Sequence, residues 1–279
     1  MYKLKSNNVS VEIDQTTMEL RSIKLKDQEY TYQHTNDWKK NWPILFPICG
    51  TLKDNKFTHK DQEFSLPRHG FFRDLKDWKI TDKSNEHVVF TTTSDKKFLN
   101  VYPFEFRIDF TVKIAEDSVQ TIFKVKNLSK EEMYFSFGYH PAFLVKQDGV
   151  LKFSSKEIFH TDNEKMLYLK KNPKTKFDFT EVKIKDIDFK GSQFYWTDNL
   201  QSDFVEYTDD EKSFKINLKE FPVCLLWAEE NNRDYICIEP WFGTADSDQR
   251  VDNKISNKDN ILTLGVDEEW SNTFVMELK

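Results

Sequence analysis

Glycine is scarce in this chain: 7 of 279 residues, where average usage would give about 20. No GxGxxG and no GxxxxGK[ST] occurs, so the glycine-rich loops that cradle nucleotide phosphates have little to be built from. Cysteine is rarer still. Cys49, Cys224 and Cys237 are an odd number, lack metal-ligand spacing and each lie inside an apolar run, the usual setting of a buried thiol in a reducing compartment. The six His never pair at i,i+2 or i,i+4, and no GxSxG is present; neither a zinc centre nor a nucleophile elbow is signalled. No run of about 18 apolar residues occurs, and Met1 to Asn8 has no apolar h-region. A cytoplasmic protein without a membrane partner is expected. Neither charge sign dominates: 41 Lys and Arg against 47 Asp and Glu give a net charge of −6, interleaved along the chain, which argues against a nucleic-acid partner. Repeats, low-complexity tracts and Pro/Ser-rich linkers are missing too, so one domain over residues 1–279 is expected. No zipper pattern appears, and the quaternary state stays open between monomer and homodimer.

What the chain has is aromatic bulk (25 Phe, 10 Tyr, 7 Trp), enough for a sizeable core. Its clear periodicity is two. Phe106, Ile108, Phe110, Val112 and Ile114 alternate with Arg107, Asp109, Thr111 and Lys113, and after the turn at Ala115 to Ser118 the run from Val119 to Lys126 alternates again, predicting a hairpin. Similar short runs recur from Val9–Ile13 to Thr273–Leu278; only Lys96 to Tyr102 reads as helical, stopped by Pro103. The polar stretch Lys170 to Asp188 reads as surface strand and loop. The predicted fold is all-β, a large antiparallel β-sandwich of two packed sheets.

Four of the seven Gly fall where Pro, aromatic and ionisable residues also concentrate: Trp42-Pro-Ile-Leu-Phe-Pro-Ile-Cys-Gly50, Leu66-Pro-Arg-His-Gly-Phe-Phe-Arg-Asp74, Phe137-Gly-Tyr-His-Pro-Ala-Phe143 and Tyr235-Ile-Cys-Ile-Glu-Pro-Trp-Phe-Gly243. Backbone of special shape on a rigid scaffold is where sites tend to be. His140 and Glu239 each precede a Pro, which favours extended geometry and suggests side chains held at strand ends. The apolar run before Glu239 makes burial and a raised pKa plausible, and a carboxylate of that kind beside an imidazole can do acid-base work. Singly, each of these residues has an ordinary structural reading. Jointly, two His, a Glu, an Arg and several aromatics supply what a sugar needs: stacking for its C–H face and hydrogen bonds for its hydroxyls.

On these segments, in this order, the sequence resembles the aldose 1-epimerase (galactose mutarotase) family, in its shorter LacX-like bacterial branch. The resemblance implies a β-sandwich with the sugar in an open cleft. It implies interconversion of the α and β anomers of a hexose, with Glu239 as the general base on the anomeric hydroxyl and His140 as the general acid on the ring oxygen. By the same resemblance His69 hydrogen-bonds the sugar, and no metal or organic cofactor is needed. Trp241 is a candidate stacking face. Two positions depart from the family pattern: Thr51 stands where relatives usually have Arg, and Gln193 where several have a substrate-binding Asp. Arg73 is the candidate that replaces the missing guanidinium, with a salt bridge to Asp74 or another surface acid as its ordinary alternative. Two other classes remain open: a hexose-6-phosphate epimerase, which needs a basic cluster beyond Arg68 and Arg73, and a non-catalytic sugar-binding protein.

Overall fold

The alternation at Phe106 to Ile114 is expressed as a strand whose even-numbered residues are all buried. It pairs antiparallel with Ser118–Asn127, from Phe106 opposite Asn127 to Ile114 opposite Val119, so the hairpin closes at the predicted turn. The computed structural model describes residues 1–279 except 36, 37, 162, 165–167, 170–175, 198, 232 and 233, and describes only the backbone of 163, 164, 168, 176 and 177. Much of the polar stretch from Lys170 lies outside the described residues; its described part is the strand Lys176–Lys183 followed by a single 3-10 turn, Ile184–Asp186. The short helix is Lys96–Leu99.

Two separate sheets were expected. Instead, among the described residues most strands join one antiparallel sheet of 15 strands, accompanied by a four-stranded sheet near the N-terminus and three two-stranded ones. The large sheet folds over on itself. Phe123 and Phe137 lie far apart in its hydrogen-bonded order, yet their rings stack with centroids 4.1 Å apart, and Tyr139 meets Phe274 at 5.1 Å. Halves of one curled sheet thus act as the two layers of the sandwich. Twist accumulated over many strands makes this curling possible, and burial of the inward aromatics, about 1.5–3 kcal/mol per side chain, favours it. The resulting core cluster runs from Leu4 to Leu278.

At one end of this sheet the strand order is Ile44–Leu45, Phe137–Tyr139, Tyr235–Phe242, Val223–Trp227, Tyr195–Trp196. Val223 to Leu226 and most of Tyr235–Phe242 are buried, which explains why these segments read as unbroken apolar runs. Gly138 is needed here for close approach. A Cβ on it would sit 2.5 Å from Trp241 Cδ1 and 3.0 Å from Cys49 Sγ, so only Gly lets the indole of the neighbouring strand lie across it. Gly138→Ala should cost about 1–3 kcal/mol through overpacking. A fall in Tm of several degrees by calorimetry is expected; an unchanged Tm would mean that Trp241 moves aside freely.

Candidate active site

Glu239 does not end a strand, as the Pro after it suggested. It stands inside Tyr235–Phe242, which continues through Pro240. One neighbour, Val223–Trp227, pairs along the segment, with Leu225 opposite Glu239 and Cys224 opposite Pro240. The other neighbour is interrupted: Phe137–Tyr139 pairs near Trp241, Ala142–Leu144 pairs at Tyr235 to Cys237, and His140 and Pro141 occupy the gap. The Ile238 N–H donates across this gap to the Pro141 carbonyl at 3.3 Å. Pro240, two residues on, turns its missing N–H to the same side, where the ladder is already broken; that is how a Pro is tolerated in an inner strand. His140 does lie at a strand end, its N–H donating to the Pro43 carbonyl at 2.9 Å.

The break brings the two ionisable groups together. His140 Nε2 is 3.4 Å from Glu239 Oε1, on the wall of a cleft of about 390 Å³, within the roughly 300–1,000 Å³ typical of small-molecule sites. Strand register builds the apolar floor: Val223 faces Trp241, Leu225 faces Glu239, and Trp196 faces Leu225 from the next strand. Val223, Leu225, Trp196 and Trp241 belong to an apolar cluster distinct from the main core. Trp38 stacks on the His140 ring with centroids 5.4 Å apart, and Trp227 and His69 meet it edge-on at 5.7 and 5.8 Å.

The electrostatics follow from burial. Glu239 is 2% exposed and His140 9%. Desolvation pushes the Glu239 carboxyl well above its usual range, opposed by the Arg68 guanidinium and the Trp241 indole N–H, which also donates to the Tyr139 carbonyl at 3.2 Å. Desolvation, then the charges of Arg68 and Lys40, depress the His140 imidazole to about 3. Burial, then Arg68, His140 and Lys40, hold His69 well below its ordinary value. The Gly50 N–H donates to His69 Nδ1 at 3.1 Å, so a neutral ring carries its proton on Nε2.

Of the residues singled out in the sequence, Glu239, His140, His69, Trp241 and Arg73 all line the cleft, as does Thr51. Arg73 approaches Glu19, 3.5 Å from its Oε1, rather than Asp74. Gln193 is not part of the lining; its amide donates to the Asp188 carbonyl at 2.7 Å and to the Tyr195 hydroxyl at 3.1 Å, while Ser192 and Phe194 on either side reach the cleft. Sequence reading missed Trp38, Lys40, Trp196 and Trp227. Only Trp227 had a signal, its period-two alternation with Val223 and Leu225. Among the described residues one cluster could hold a metal ion: His140, Cys237 and Glu239 bring ligand atoms within 4.8 Å of one another. It fits a cation poorly, because burial, then the charge of Glu239, pushes the Cys237 thiol up and away from the thiolate a soft metal requires.

A curled antiparallel sandwich with a carboxyl-imidazole pair in an aromatic cleft is a galactose mutarotase-like architecture. Over 100% of this chain it superposes on the galactose mutarotase related enzyme from Lactobacillus acidophilus (TM-score 0.88, 24% identity, 97% of that chain). Over the same span it superposes on a galactose mutarotase-like protein from Lactobacillus casei (0.86, 20%, 100% of that chain). The chain belongs to the aldose 1-epimerase family, whose family model matches residues 1–253. It is 28% identical over 265 residues to the plasmid-borne Protein LacX of Lactococcus lactis subsp. lactis, covering 88% of each chain. No helix among the described residues is long and apolar enough to cross a membrane.

The raised Glu239 has a consequence for stability. Below the ordinary carboxylate range the group is protonated in both folded and unfolded chains; above it the unfolded chain ionises while the folded one resists. Stability is therefore lost as pH rises toward the folded value. Glu239→Gln removes that loss, so its Tm advantage over the parent should be larger at pH 8 than at pH 5, by a few degrees. An advantage independent of pH would contradict the raised carboxyl.

Proposed function

We propose that the protein interconverts the α and β anomers of an aldose by general acid-base ring opening. The observation that carries this reading is the 3.4 Å approach of the Glu239 carboxyl to the His140 imidazole on the wall of the aromatic cleft. Glu239 takes the proton of the anomeric hydroxyl, His140 gives one to the ring oxygen, and the C1–O5 bond breaks to the open aldehyde. Rotation about C1–C2 and closure with the transfers reversed deliver the other anomer.

The pair holds one proton in the resting cleft. With that proton on Glu239 both groups are neutral, which burial favours; with it on His140 the base is ionised and the acid charged, which the reaction requires. The two arrangements carry the same number of protons, so they exchange without any change of pH dependence, and the titrations belong to the pair. Trp241 offers its face to the sugar, the Nε2–H of His69 donates to a sugar hydroxyl, and Arg73 supplies a guanidinium that Thr51 cannot. Gln193, turned to Asp188 and Tyr195, is left out of this reading.

Glu239→Gln and His140→Asn should each lower anomer exchange about 10²–10⁴-fold in a folded protein, followed by NMR or polarimetry. Parent-like turnover in both would overturn the assignment, and sugar binding without any exchange in the parent would favour a binding protein. The sequence alone suggested an acid limb from Glu239 and an alkaline limb from His140; the environments reverse that order. In kcat/KM the alkaline limb should report loss of the proton that Glu239 holds up to raised pH. The acid limb should report a second proton entering at the depressed imidazole, near 3. An acid limb in the ordinary histidine range, about 6.5, would count against the buried pair. Arg73→Ala should raise KM more than it lowers kcat, since a hydroxyl contact holds ground state and transition state alike; an unchanged KM would leave Arg73 as the partner of Glu19 alone.

A further inference from the structure

The anomer-exchange reading gives a role to Arg73 alone among the cations of the cleft. Lys40, Arg68 and Arg73 all line it together with Glu239 and His140, and all three have hydrogen-bonding capacity that the protein does not use. Among the described residues the Lys40 ammonium makes no hydrogen bond or ion pair, and burial, then the charges of Arg73 and Arg68, hold it below its ordinary value against the pull of Glu19. Arg68 Nε lies 3.1 Å from His69 Nε2. A neutral imidazole has a single acceptor nitrogen, which the Gly50 N–H also approaches at Nδ1, and among the described residues the two terminal nitrogens of the Arg68 guanidinium make no hydrogen bond. Arg73 is 3.5 Å from Glu19, longer than the roughly 2.7–2.9 Å of a charge-assisted bond. Glu19 meanwhile accepts the N–H groups of Asn41 and Trp42 at 2.8 and 3.3 Å.

The acids do not balance these charges. Of the described lining residues only Glu229 and Glu239 are acidic, against three cations, and burial draws Glu239 toward its neutral form; with Glu239 neutral the cations outnumber the acids even when Glu19, beside Arg73, is counted. A neutral aldose offers only hydroxyls, which one guanidinium or an amide can serve. Three under-used cations converging on one cleft are the recognition chemistry of an anion.

We propose that the substrate is an anionic aldose, bearing a phosphate or a carboxylate held by Lys40, Arg68 and Arg73. The anion must sit away from the anomeric carbon, because ring opening needs a free anomeric hydroxyl. This rests on the anomer-exchange reading above and adds the substrate class to it.

The test is anomer exchange by NMR on three probes: an aldohexose, its 6-phosphate and its 6-carboxylate. At least one charged sugar should show kcat/KM tenfold or more above the neutral one, and the order of phosphate and carboxylate identifies the anion. Added salt should raise KM for the charged sugar and leave the neutral one nearly unaffected. In Lys40→Met the charged-to-neutral ratio should fall severalfold; Arg73→Gln serves as the second variant if Lys40→Met does not fold. Equal kcat/KM on all three probes would overturn the anionic substrate while anomer exchange stands. Exchange of none of them by the folded protein would overturn both. A ratio unchanged in the folded variants would remove these side chains from the site and overturn the assignment.

Discussion

The interruption between Phe137–Tyr139 and Ala142–Leu144 is the constraint on which the rest of the site depends. An inner strand normally excludes Pro and gives an ionisable side chain no polar partner. Here the break supplies both conditions. Pro240 meets a gap where a ladder bond would otherwise be required, and His140, at the edge of that gap, reaches Glu239 across it. Without the break, the carboxyl would be an isolated buried acid, costing several kcal/mol; with it, the carboxyl has an imidazole, a guanidinium and an indole N–H within its influence. The Pro residues at 141 and 240 are thus parts of one arrangement, each lacking an N–H where the sheet opens.

Burial sets the chemistry of the pair, and the aromatic lining sets the burial. Trp38, Trp227 and His69 enclose the His140 ring on several sides, while Gly138 lets Trp241 lie flat across the neighbouring strand. The same rings that exclude water from the acid and base form the walls of the cleft. Desolvation here raises an acid and lowers a base, moving both toward neutrality. Cations at the cleft reinforce the direction for His140 and oppose it for Glu239. A negatively charged ligand would offset the charges of Arg68 and Lys40 on His140 and of Arg68 on Glu239, returning His140 toward its ordinary range and raising Glu239 further.

The sequence carried the local and periodic features. Alternation at Phe106 to Ile114 and Val119 to Lys126 specified a hairpin and its register, because a two-residue period leaves only one face apolar. The motifs around His69, His140 and Glu239 marked segments that meet at the cleft, because Gly and Pro are spent where backbone geometry is special. That a single sheet forms both layers was not legible: hydrogen-bonded continuity depends on which strand edges meet after the chain has curled. Lys40 and Trp38 carried no local signal, since their side chains enter the cleft through a loop whose path is set by packing elsewhere.

Composition and periodicity by themselves determined an all-β chain with an aromatic core and a carboxylate, two imidazoles and guanidinium groups in a few special segments. Only the tertiary structure decided that Glu239 lies within a strand and that its carboxyl is raised while His140 is lowered. It alone turned Gln193 away, set Arg73 beside Glu19 rather than Asp74, and brought Lys40 into the cleft with Arg68. The reason is physical: residue type and spacing fix what a side chain can do and which face it takes, whereas burial and charge environment are sums over neighbours distant in sequence.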